Sequence, residues 1–252
     1  MGATVCRAVA ADDALVLAAA VDPGAAGEPL SAVAGVDSDL EVAGRSEHLD
    51  ALPQVMVDFT HLEAARHNVA WCAERGVHAV VGTTGFTDDD LAGFESAFTS
   101  SNCLIAPNFA IGAILMMRFA ELAAPWFDTA EVLEFHHDAK VDAPSGTAMR
   151  TVERMAAASD AWSPDPTKTV VVEGARGAEG PAGIRVHSVR MRGMVAHQEV
   201  VLGATGQTLS IRHDSYDRES FMPGVVLAAK RIAHHPGVTV GLDAYLDAYL
   251  DD

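Results

Sequence analysis

The sequence predicts an α/β fold in which a parallel sheet flanked by helices is followed by a second sheet. From Met1 to Phe109, short apolar runs alternate with helical segments, which is the pattern of a parallel sheet with helices on both faces. After Phe109 three alternating runs succeed one another, and a glycine-containing turn joins the last two, which favours antiparallel pairing. We therefore predict two domains, one from residues 1–109 with 217–252 and one from residues 110–216.

Composition predicts a soluble globular protein and limits its partners. The 252 residues are 49% hydrophobic, and no apolar run approaches the roughly eighteen residues that a membrane-spanning helix needs. Three cysteines far apart and the lack of a signal peptide indicate a cytoplasmic protein. A net charge of -18 argues against nucleic acid or an anionic membrane as the main partner. A small anionic ligand is compatible with this charge if cations cluster around it, and Lys140 is one of only three lysines.

The first domain begins with a helix from Met1 to Ala11 and an apolar run, Leu15–Val21, that reads as a buried strand. Asp22 ends this run, in the position where the acid of a dinucleotide-binding unit contacts ribose hydroxyls. The alternative is that Asp22 only forms a turn. Residues 23–50 are predicted to be loop, with at most a short strand near Leu40–Val42.

Three further strands complete the predicted parallel sheet. They are Val55–Asp58, Val77–Val81 and Cys103–Ala106. A helix from Leu62 to Arg75 stops at Gly76, and Thr87 with Asp90 forms a predicted capping box for the next helix. Ligands of such sheets bind at the carboxyl ends of the strands. The loops at that edge are Asp22, Asp58-Phe59-Thr60, Gly82-Thr83-Thr84 and Ala106 to Phe109.

The second domain is predicted to mix helices with antiparallel strands. Its helices are Ile111–Trp126 and one from Ser145 to about Ser159, and its strands are Val132–Phe135, Ile184–Met191, Val195–Leu202 and Gln207–His213. A long loop, Ser163–Gly183, carries Arg176 in its middle. Two amphipathic helices, Asp217–His235 and Ala244–Leu250, are predicted to return to the first domain.

The stretch EFHHDAKVDAPSGT, Glu134 to Thr147, concentrates the reactive side chains. If the strand persists, Glu134, His136, Asp138 and Lys140 share one face. Ser145 is a good helix N-cap, and the third helical position is Ala148 rather than an acid, so the first-turn amides are open to an anion. We interpret the stretch as a proton donor, a cation and a carboxylate cradle.

Two other interpretations of the stretch remain open. The histidine pair could be surface decoration, or His136, His137 and Asp138 could bind a metal for hydrolysis. Neighbouring histidines on a strand diverge, and no HxxxH or CxxC spacing supports a closed metal shell, so we predict no metal.

These motifs together resemble the 4-hydroxy-tetrahydrodipicolinate reductase family, also called dihydrodipicolinate reductase, of lysine and diaminopimelate biosynthesis. The resemblance covers nearly the full chain, and its most specific part is HHxxKxDAPSGTA from His136 to Ala148. The other matching stretches are DFTH from Asp58, VGTTGF from Val81, APNF from Ala106, AHQE from Ala196 and HDS from His213 through Arg218 to Phe221.

The resemblance implies a Rossmann-like nucleotide-binding domain and an α+β mixed-sheet domain for substrate binding and tetramerisation, with a pocket between them. It implies a homotetramer that reduces 4-hydroxy-tetrahydrodipicolinate to tetrahydrodipicolinate with NAD(P)H. Pro23 stands where an arginine would help to bind a 2′-phosphate, so we expect NADH to be used at least as well as NADPH.

Residue roles follow from matching positions in that family. His136 would be the catalytic proton donor and Lys140 the second acid or cation. The residues implied to bind substrate are His137, Ser145, Gly146 and Thr147. Those implied to bind the cofactor are Asp22, Phe59, Gly82, Thr83, Thr84, Ala106, Pro107, Asn108, Phe109 and Arg218.

The sequence departs from the family pattern at its start. Family members begin with a strand and a GxxGxxG turn that receives the pyrophosphate, and Gly2 corresponds to the last glycine of that turn. We therefore expect the first strand and the glycine-rich turn to be missing, and the true start to lie upstream of Met1. The alternative is an N-terminally truncated, non-catalytic homologue that acts only in binding or assembly.

Overall fold

The computed structural model describes residues 1–247 and divides into two compact units. Unit 1 comprises Met1–Ala110 together with the chain from Arg218 onward, and unit 2 comprises Ile111–Asp217. The helices are α1 Gly2–Ala10, α2 Leu30–Ala34, α3 Leu62–Arg75, α4 Asp88–Ala97, α5 Ile111–Ala123, α6 Gly146–Ala158, α7 Met222–Arg231 and α8 Asp243–Asp247. The strands are β1 Val55–Asp58, β2 His78–Val81, β3 Cys103–Ile105, β4 Thr129–His136, β5 Ala178–Glu179, β6 Arg185–Arg190, β7 Ala196–Ala204, β8 Gln207–Ser215 and β9 Val238–Val240.

Unit 1 is built on a four-stranded parallel sheet in the order β1-β2-β3-β9, which confirms the predicted parallel sheet. Val80 and Leu104 in its central strands are fully buried. Asp58 pairs with Val81, and Val81 pairs with Ile105. Three strands therefore end level with one another, and the loops that follow them meet at one edge of the sheet.

Local signals set the helix boundaries of unit 1. α3 ends where Gly76 adopts the left-handed conformation, which glycine reaches without strain. α4 begins at the predicted capping box, in which Thr87 Oγ1 accepts from the Asp90 amide and the Asp90 carboxylate accepts from the Thr87 amide. Both predictions are confirmed because they depend only on neighbouring residues.

The predicted strand Leu15–Val21 is wrong. Within residues 1–247 this segment forms no ladder, and its only strand-like contacts join Ala20 and Asp22 to Ala43. An apolar run becomes a strand only when a neighbouring strand supplies hydrogen-bond partners. β1 pairs with β2 on one side alone among the described strands, and it shares with Leu15–Val21 the lining of a cavity of about 770 Å³.

Other predictions for unit 1 need correction. The stretch 23–50 contains the helix α2, whose buried Leu30 packs in a small apolar cluster that includes Cys6 and Val42. Near Leu40–Val42 the structure has an isolated bridge, between Pro29 and Glu41, which agrees with the prediction of at most a short strand there.

The predicted helix Asp217–His235 is divided into a 3-10 turn at Arg218–Phe221, then α7, then a second 3-10 turn at Ile232–His234. Pro223 at the start of α7 cannot donate a helical hydrogen bond, which fits a first-turn position. The three-residue strand β9 that follows was not predicted. The predicted helix Ala244–Leu250 is represented by α8, and its last residues lie outside the part of the chain that the structure describes.

Unit 2 is built on a five-stranded mixed sheet in the order β5-β6-β4-β7-β8. β4 runs parallel to β6, and the remaining pairs are antiparallel. This arrangement confirms the mixed sheet. Val132, Val200 and Leu202 are fully buried on one face, where α5 and α6 pack against each other and contact the sheet.

An ion pair joins the predicted long loop Ser163–Gly183 to strand β4 of unit 2. Arg176 donates a 2.6 Å hydrogen bond to Glu131 and a longer one to Asp165. The short strand β5 and a 3-10 turn at Pro181–Gly183 interrupt the loop, so it is less irregular than predicted.

None of the helices within residues 1–247 is both long enough and apolar enough to cross a membrane.

Gly224→Ala is expected to destabilise the protein. A Cβ at this position of α7 would lie 2.1 Å from the carbonyl oxygen of Phe109, so backbone would have to move. Overpacking of this kind costs about 1–3 kcal/mol. The measurement is the free energy of unfolding in urea. The matched control is Gly93→Ala in α4, where a Cβ meets no atom within 4 Å and where alanine should add about 0.5–1 kcal/mol. Equal stability of Gly224→Ala and the parent would contradict the expectation.

Candidate active site

His136 is the last residue of β4, and its ring is held from within unit 2. Its Nδ1 atom lies 2.5 Å from Oε2 of Glu134, two residues earlier on the same face of the strand. The His136 side chain is only 17% exposed. Burial lowers the pKa of His136 below the usual histidine value, and the hydrogen bond to Glu134 offsets part of this effect.

Glu134 is a fully buried carboxylate with several donors. Both terminal nitrogens of Arg190 approach it at 2.8 Å, and the amide of Ser145 donates at 3.3 Å. Burial alone would raise the pKa of Glu134, but the hydrogen bonds from Arg190, Ser188 and His136 lower it below the usual glutamate value. Arg190 lies on β6, directly beside His136 in the parallel register. The carboxylate is therefore ionised and shared between an arginine and a histidine.

The chain turns immediately after His136, and this overturns one prediction. Asp138 and Lys140 lie beyond the strand, so they do not share its face with Glu134 and His136. The amide of Lys140 donates to the carbonyl of His137 at 3.2 Å, which closes a turn. Asp138 instead accepts a hydrogen bond from Arg192.

Lys140 is already engaged by a carboxylate. Its Nζ atom lies 2.8 Å from each carboxylate oxygen of Asp142. The ammonium group lowers the pKa of Asp142, which keeps the pair ionised. The Lys140 side chain is 22% exposed and that of Asp142 is 59% exposed. An anionic ligand that binds Lys140 would therefore compete with Asp142.

The N-terminus of α6 follows the turn. Ser145 is the predicted N-cap, and its Oγ accepts from the amide of Ala148 at 3.2 Å. Ser145 is buried, and its own amide points to Glu134. Gly146 and Thr147 form the first turn of α6, which contains no acidic residue, so the positive end of the helix is suited to an anion.

In unit 1, the loops at the sheet edge are joined by one buried carboxylate. Asp58 accepts hydrogen bonds from the amide and hydroxyl of Thr60, from the hydroxyl of Thr83 at 2.9 Å, and from the side chain of Asn68 at 2.6 Å. Asp58 itself is 4% exposed. It therefore fixes the loop after β1 to the loop after β2.

Phe59 provides the second link between these loops. Its ring lies 5.5 Å from that of Phe109, between centroids. A Cβ at Gly82 would lie 2.1 Å from the Phe59 ring, so glycine is required for this close approach. Four of the residues that the sequence nominated for cofactor binding, namely Phe59, Gly82, Thr83 and Phe109, are thus organised around Asp58 and one aromatic contact.

The other nominated residues of unit 1 are held less closely. Asp22 is exposed, accepts from the amide of Gly24 at 2.8 Å, and lines the 770 Å³ cavity together with Gly2 and Phe59. Ala106 donates its amide to Val81, and Asn108 accepts from the amide of Ala110. Pro107 lies between them, Thr84 follows Thr83 in the exposed part of its loop, and Arg218 begins the 3-10 turn before α7.

Sequence reasoning did not assign a role to Arg190 or to Asp58. Glu134 and His136 are two residues apart on a predicted strand, so their side chains were expected to share a face. This spacing was the sequence signal for their contact. Arg190 approaches through the pairing of β4 with β6, which no local pattern encodes. Within residues 1–247 no group of three or more His, Cys, Asp or Glu side chains is placed to hold a metal ion.

Comparison with known proteins decides the family. Residues 1–109 match the family described as "Dihydrodipicolinate reductase, N-terminus", and residues 112–246 match "Dihydrodipicolinate reductase, C-terminus". The chain belongs to the dihydrodipicolinate reductase family. This membership confirms the resemblance that the His136 to Ala148 motif indicated.

Relatives in this family are similar over almost their whole length. The 4-hydroxy-tetrahydrodipicolinate reductase of Mycolicibacterium vanbaalenii is 48% identical over 251 residues, which cover 98% of this chain and 95% of the relative. That of Nocardia farcinica is 49% identical over 238 residues, covering 89% and 95%.

Solved structures share the fold. The dipicolinate-bound dihydrodipicolinate reductase from Paenisporosarcina sp. TG-14 superposes with a TM-score of 0.81 and 36% identity, covering 96% of this chain and 93% of that one. The amine dehydrogenase from Mycobacterium smegmatis has a TM-score of 0.60 at 14% identity, covering 96% and 93%, so it shares the fold alone.

Proposed function

We propose that this protein reduces 4-hydroxy-tetrahydrodipicolinate to tetrahydrodipicolinate with NAD(P)H, in the biosynthesis of lysine and diaminopimelate. The observation that carries the proposal is the pairing of His136 with Glu134 beside the Ser145-capped start of α6. It stands in a chain that is 48% identical to a protein named as this reductase. A non-catalytic role is disfavoured because the histidine and its carboxylate partner are both in place.

The substrate is a dicarboxylate, and unit 2 offers groups suited to its carboxylates. The first-turn amides of α6 at Gly146 and Thr147 provide fixed donors, and Ser145 and His137 lie nearby in the chain. Fixed donors stabilise a carboxylate without reorganisation cost. The relative from Paenisporosarcina was solved with dipicolinate, a molecule of the same dicarboxylate class. Lys140 contributes positive charge when a substrate carboxylate replaces Asp142 as its partner.

The proton of the reaction is assigned to His136. The 4-hydroxyl leaves as water, which gives a conjugated imine; reduction of that ring then takes a hydride at one carbon and a proton at its neighbour, so an acid with a pKa near neutrality is required. Histidine is the side chain that titrates in this range. Its ring is fixed through Nδ1 by Glu134, which leaves Nε2 as the nitrogen that can act on a substrate.

The residues of unit 1 fit a nicotinamide dinucleotide. The first turn of α1 receives no side-chain cap from Met1, and the exposed Asp22 lines the same cavity as Gly2. The first turn would receive phosphate oxygens and Asp22 the ribose hydroxyls. Phe59, Gly82 to Thr84, Ala106 to Phe109 and Arg218 would hold the rest of the cofactor. When bound, NAD(P)H supplies the hydride.

We also propose a cytoplasmic homotetramer that assembles through unit 2. The helix-free face of its sheet carries Leu133, Phe135 and Val201, which are only half-buried within one chain. Arg212 lies over the Phe135 ring at 5.4 Å from its centroid. Apolar and aromatic side chains with an arginine are typical of subunit interfaces.

The test is an NAD(P)H oxidation assay in which the substrate, 4-hydroxy-tetrahydrodipicolinate, is freshly generated by the synthase that makes it. NADH and NADPH are compared side by side, and their oxidation is followed by the absorbance of the reduced nicotinamide. We expect turnover with both, and kcat/KM for NADH at least equal to that for NADPH, because Pro23 after Asp22 offers no cation to a 2′-phosphate. A strong NADPH preference would contradict the cofactor proposal, and no oxidation of either cofactor would contradict the reductase proposal.

A further inference from the structure

Glu134 is a buried charge that the reaction itself does not require. Neither the hydride nor the proton passes through it in the proposed function, yet its side chain is completely shielded from solvent. An ionised carboxylate placed there without partners would strongly destabilise the fold. Three elements supply its partners, namely His136 on β4, Arg190 on β6 and the amide of Ser145 before α6.

We propose that Glu134 is a positioning residue whose carboxylate, clamped by Arg190, holds a proton on Nδ1 of His136 and so presents Nε2 to the substrate. The inference rests on the proposed function for the role of His136, and it adds the reason why one ring nitrogen acts rather than the other. Arg190 belongs to this arrangement because it donates two hydrogen bonds to the Glu134 carboxylate, so that the His136 ring is not the only partner of that carboxylate.

The hydrogen-bond chemistry of the three groups leads to this assignment. An ionised carboxylate accepts hydrogen bonds and cannot donate them, so the His136 nitrogen at 2.5 Å from Glu134 must carry the proton. Arg190 donates two parallel hydrogen bonds at 2.8 Å, a geometry that favours the ionised carboxylate. The neutral His136 ring therefore has its lone pair on Nε2, and the charged ring carries its transferable proton there.

The charges that face His136 are opposed in sign. Glu134 stabilises the protonated ring, while Lys140 and Arg190 destabilise it, and Asp142 in turn neutralises Lys140. Arg190 also donates to the carbonyl of Asp142, so it joins the strand to the turn. Removing the charge of Glu134 should therefore lower the pKa of His136, whereas removing the charge of Arg190 should raise it.

The experiment follows the ring nitrogens of His136 by NMR in the full chain labelled with 15N-histidine. Assignment comes from the signal lost in His136→Ala. In the wild type above the pKa of the ring, we expect the chemical shifts of a protonated Nδ1 and an unprotonated Nε2. The pKa is expected to move down by about one pH unit in Glu134→Gln and up by about one in Arg190→Gln. Glu131→Gln is the matched control, because Glu131 on β4 also binds an arginine and a histidine, Arg176 and His187.

The same variants change the pH profile of reduction in a defined direction. A proton donor must be protonated, so kcat falls as pH rises through the pKa of His136. The alkaline limb of kcat should shift to lower pH in Glu134→Gln and to higher pH in Arg190→Gln, with KM for the cofactor unchanged. Glu131→Gln should leave both the limb and the NMR titration in place.

Three results would overturn the inference. They are a wild-type ring that carries its neutral-state proton on Nε2, shifts of the same sign in Glu134→Gln and Arg190→Gln, and a pKa of His136 that moves equally in Glu131→Gln. If Glu134→Gln does not fold, the wild-type tautomer and Arg190→Gln still decide. The NMR measurement needs no catalysis, so a protein with the expected tautomer but no reductase activity would contradict the proposed function alone.

Discussion

Replacing His136 by alanine is expected to lower kcat for the reduction by about 10²–10⁴-fold, the range that a positioned acid or base contributes. The ring is the titratable group that Glu134 fixes at the end of β4. KM for the cofactor should stay close to the wild-type value, because the residues proposed to hold it lie in unit 1. The measurement is steady-state oxidation of NADH, together with the near-UV circular dichroism spectrum as a check that the variant is folded.

His187→Ala is the matched control for this loss. His187 is a histidine of the same sheet, hydrogen-bonded to Glu131 at 2.7 Å, and it has no proposed role in the reaction. Its replacement should leave kcat near that of the parent. A folded His136→Ala with undiminished kcat would rule out His136 as the proton donor.

Lys140→Ala should raise KM for the dicarboxylate more than it lowers kcat, because the proposed contribution of Lys140 is charge.

Replacing Asp58 by alanine is expected to weaken binding of NADH by about 10- to 150-fold, since a hydrogen bond to a charged group is worth about 1.5–3 kcal/mol. Asp58 joins Thr60 after β1 to Thr83 after β2, and Asn68 holds it from α3. Without this shared acceptor the two loops lose their fixed spacing. The loss should appear in the Kd for NADH, measured by quenching of protein fluorescence.

A charge-matched control separates loop positioning from general electrostatics. Glu74→Gln also removes one negative charge from unit 1, but Glu74 is exposed on α3 and pairs only weakly with its neighbour Arg75. Its Kd for NADH should be close to that of the parent. If Asp58→Ala folds and binds NADH as well as Glu74→Gln does, then Asp58 does not organise the cofactor loops.

The sequence predicted best those elements whose signals are local. The capping box of Thr87 and Asp90, the stop at Gly76 and the N-cap at Ser145 each depend on residues within one helical turn. The structure has all three. The family motif from His136 to Ala148 likewise lies within one strand, turn and helix, which is why the most important stretch could be recognised directly.

The features that were missed depend on partners distant in the chain. Leu15–Val21 has the composition of a strand, but a ladder requires a neighbour that its own residues do not specify. β9 is only three residues long, and its partner β3 lies more than a hundred positions earlier. Arg190 meets Glu134 only because β6 pairs parallel to β4. The prediction that His136 and Lys140 share one face was wrong because β4 ends at His136 and the chain then turns.

The unpaired side of β1 has a consequence for work with the purified protein. Among the strands of residues 1–247, β1 has a partner on one side only, and Val55 and Val57 line an apolar cavity. A strand edge with unused amides and carbonyls beside apolar surface is a template for pairing with other polypeptides. Concentrated samples should therefore self-associate through this edge, and they should do so equally in the parent protein and in His136→Ala.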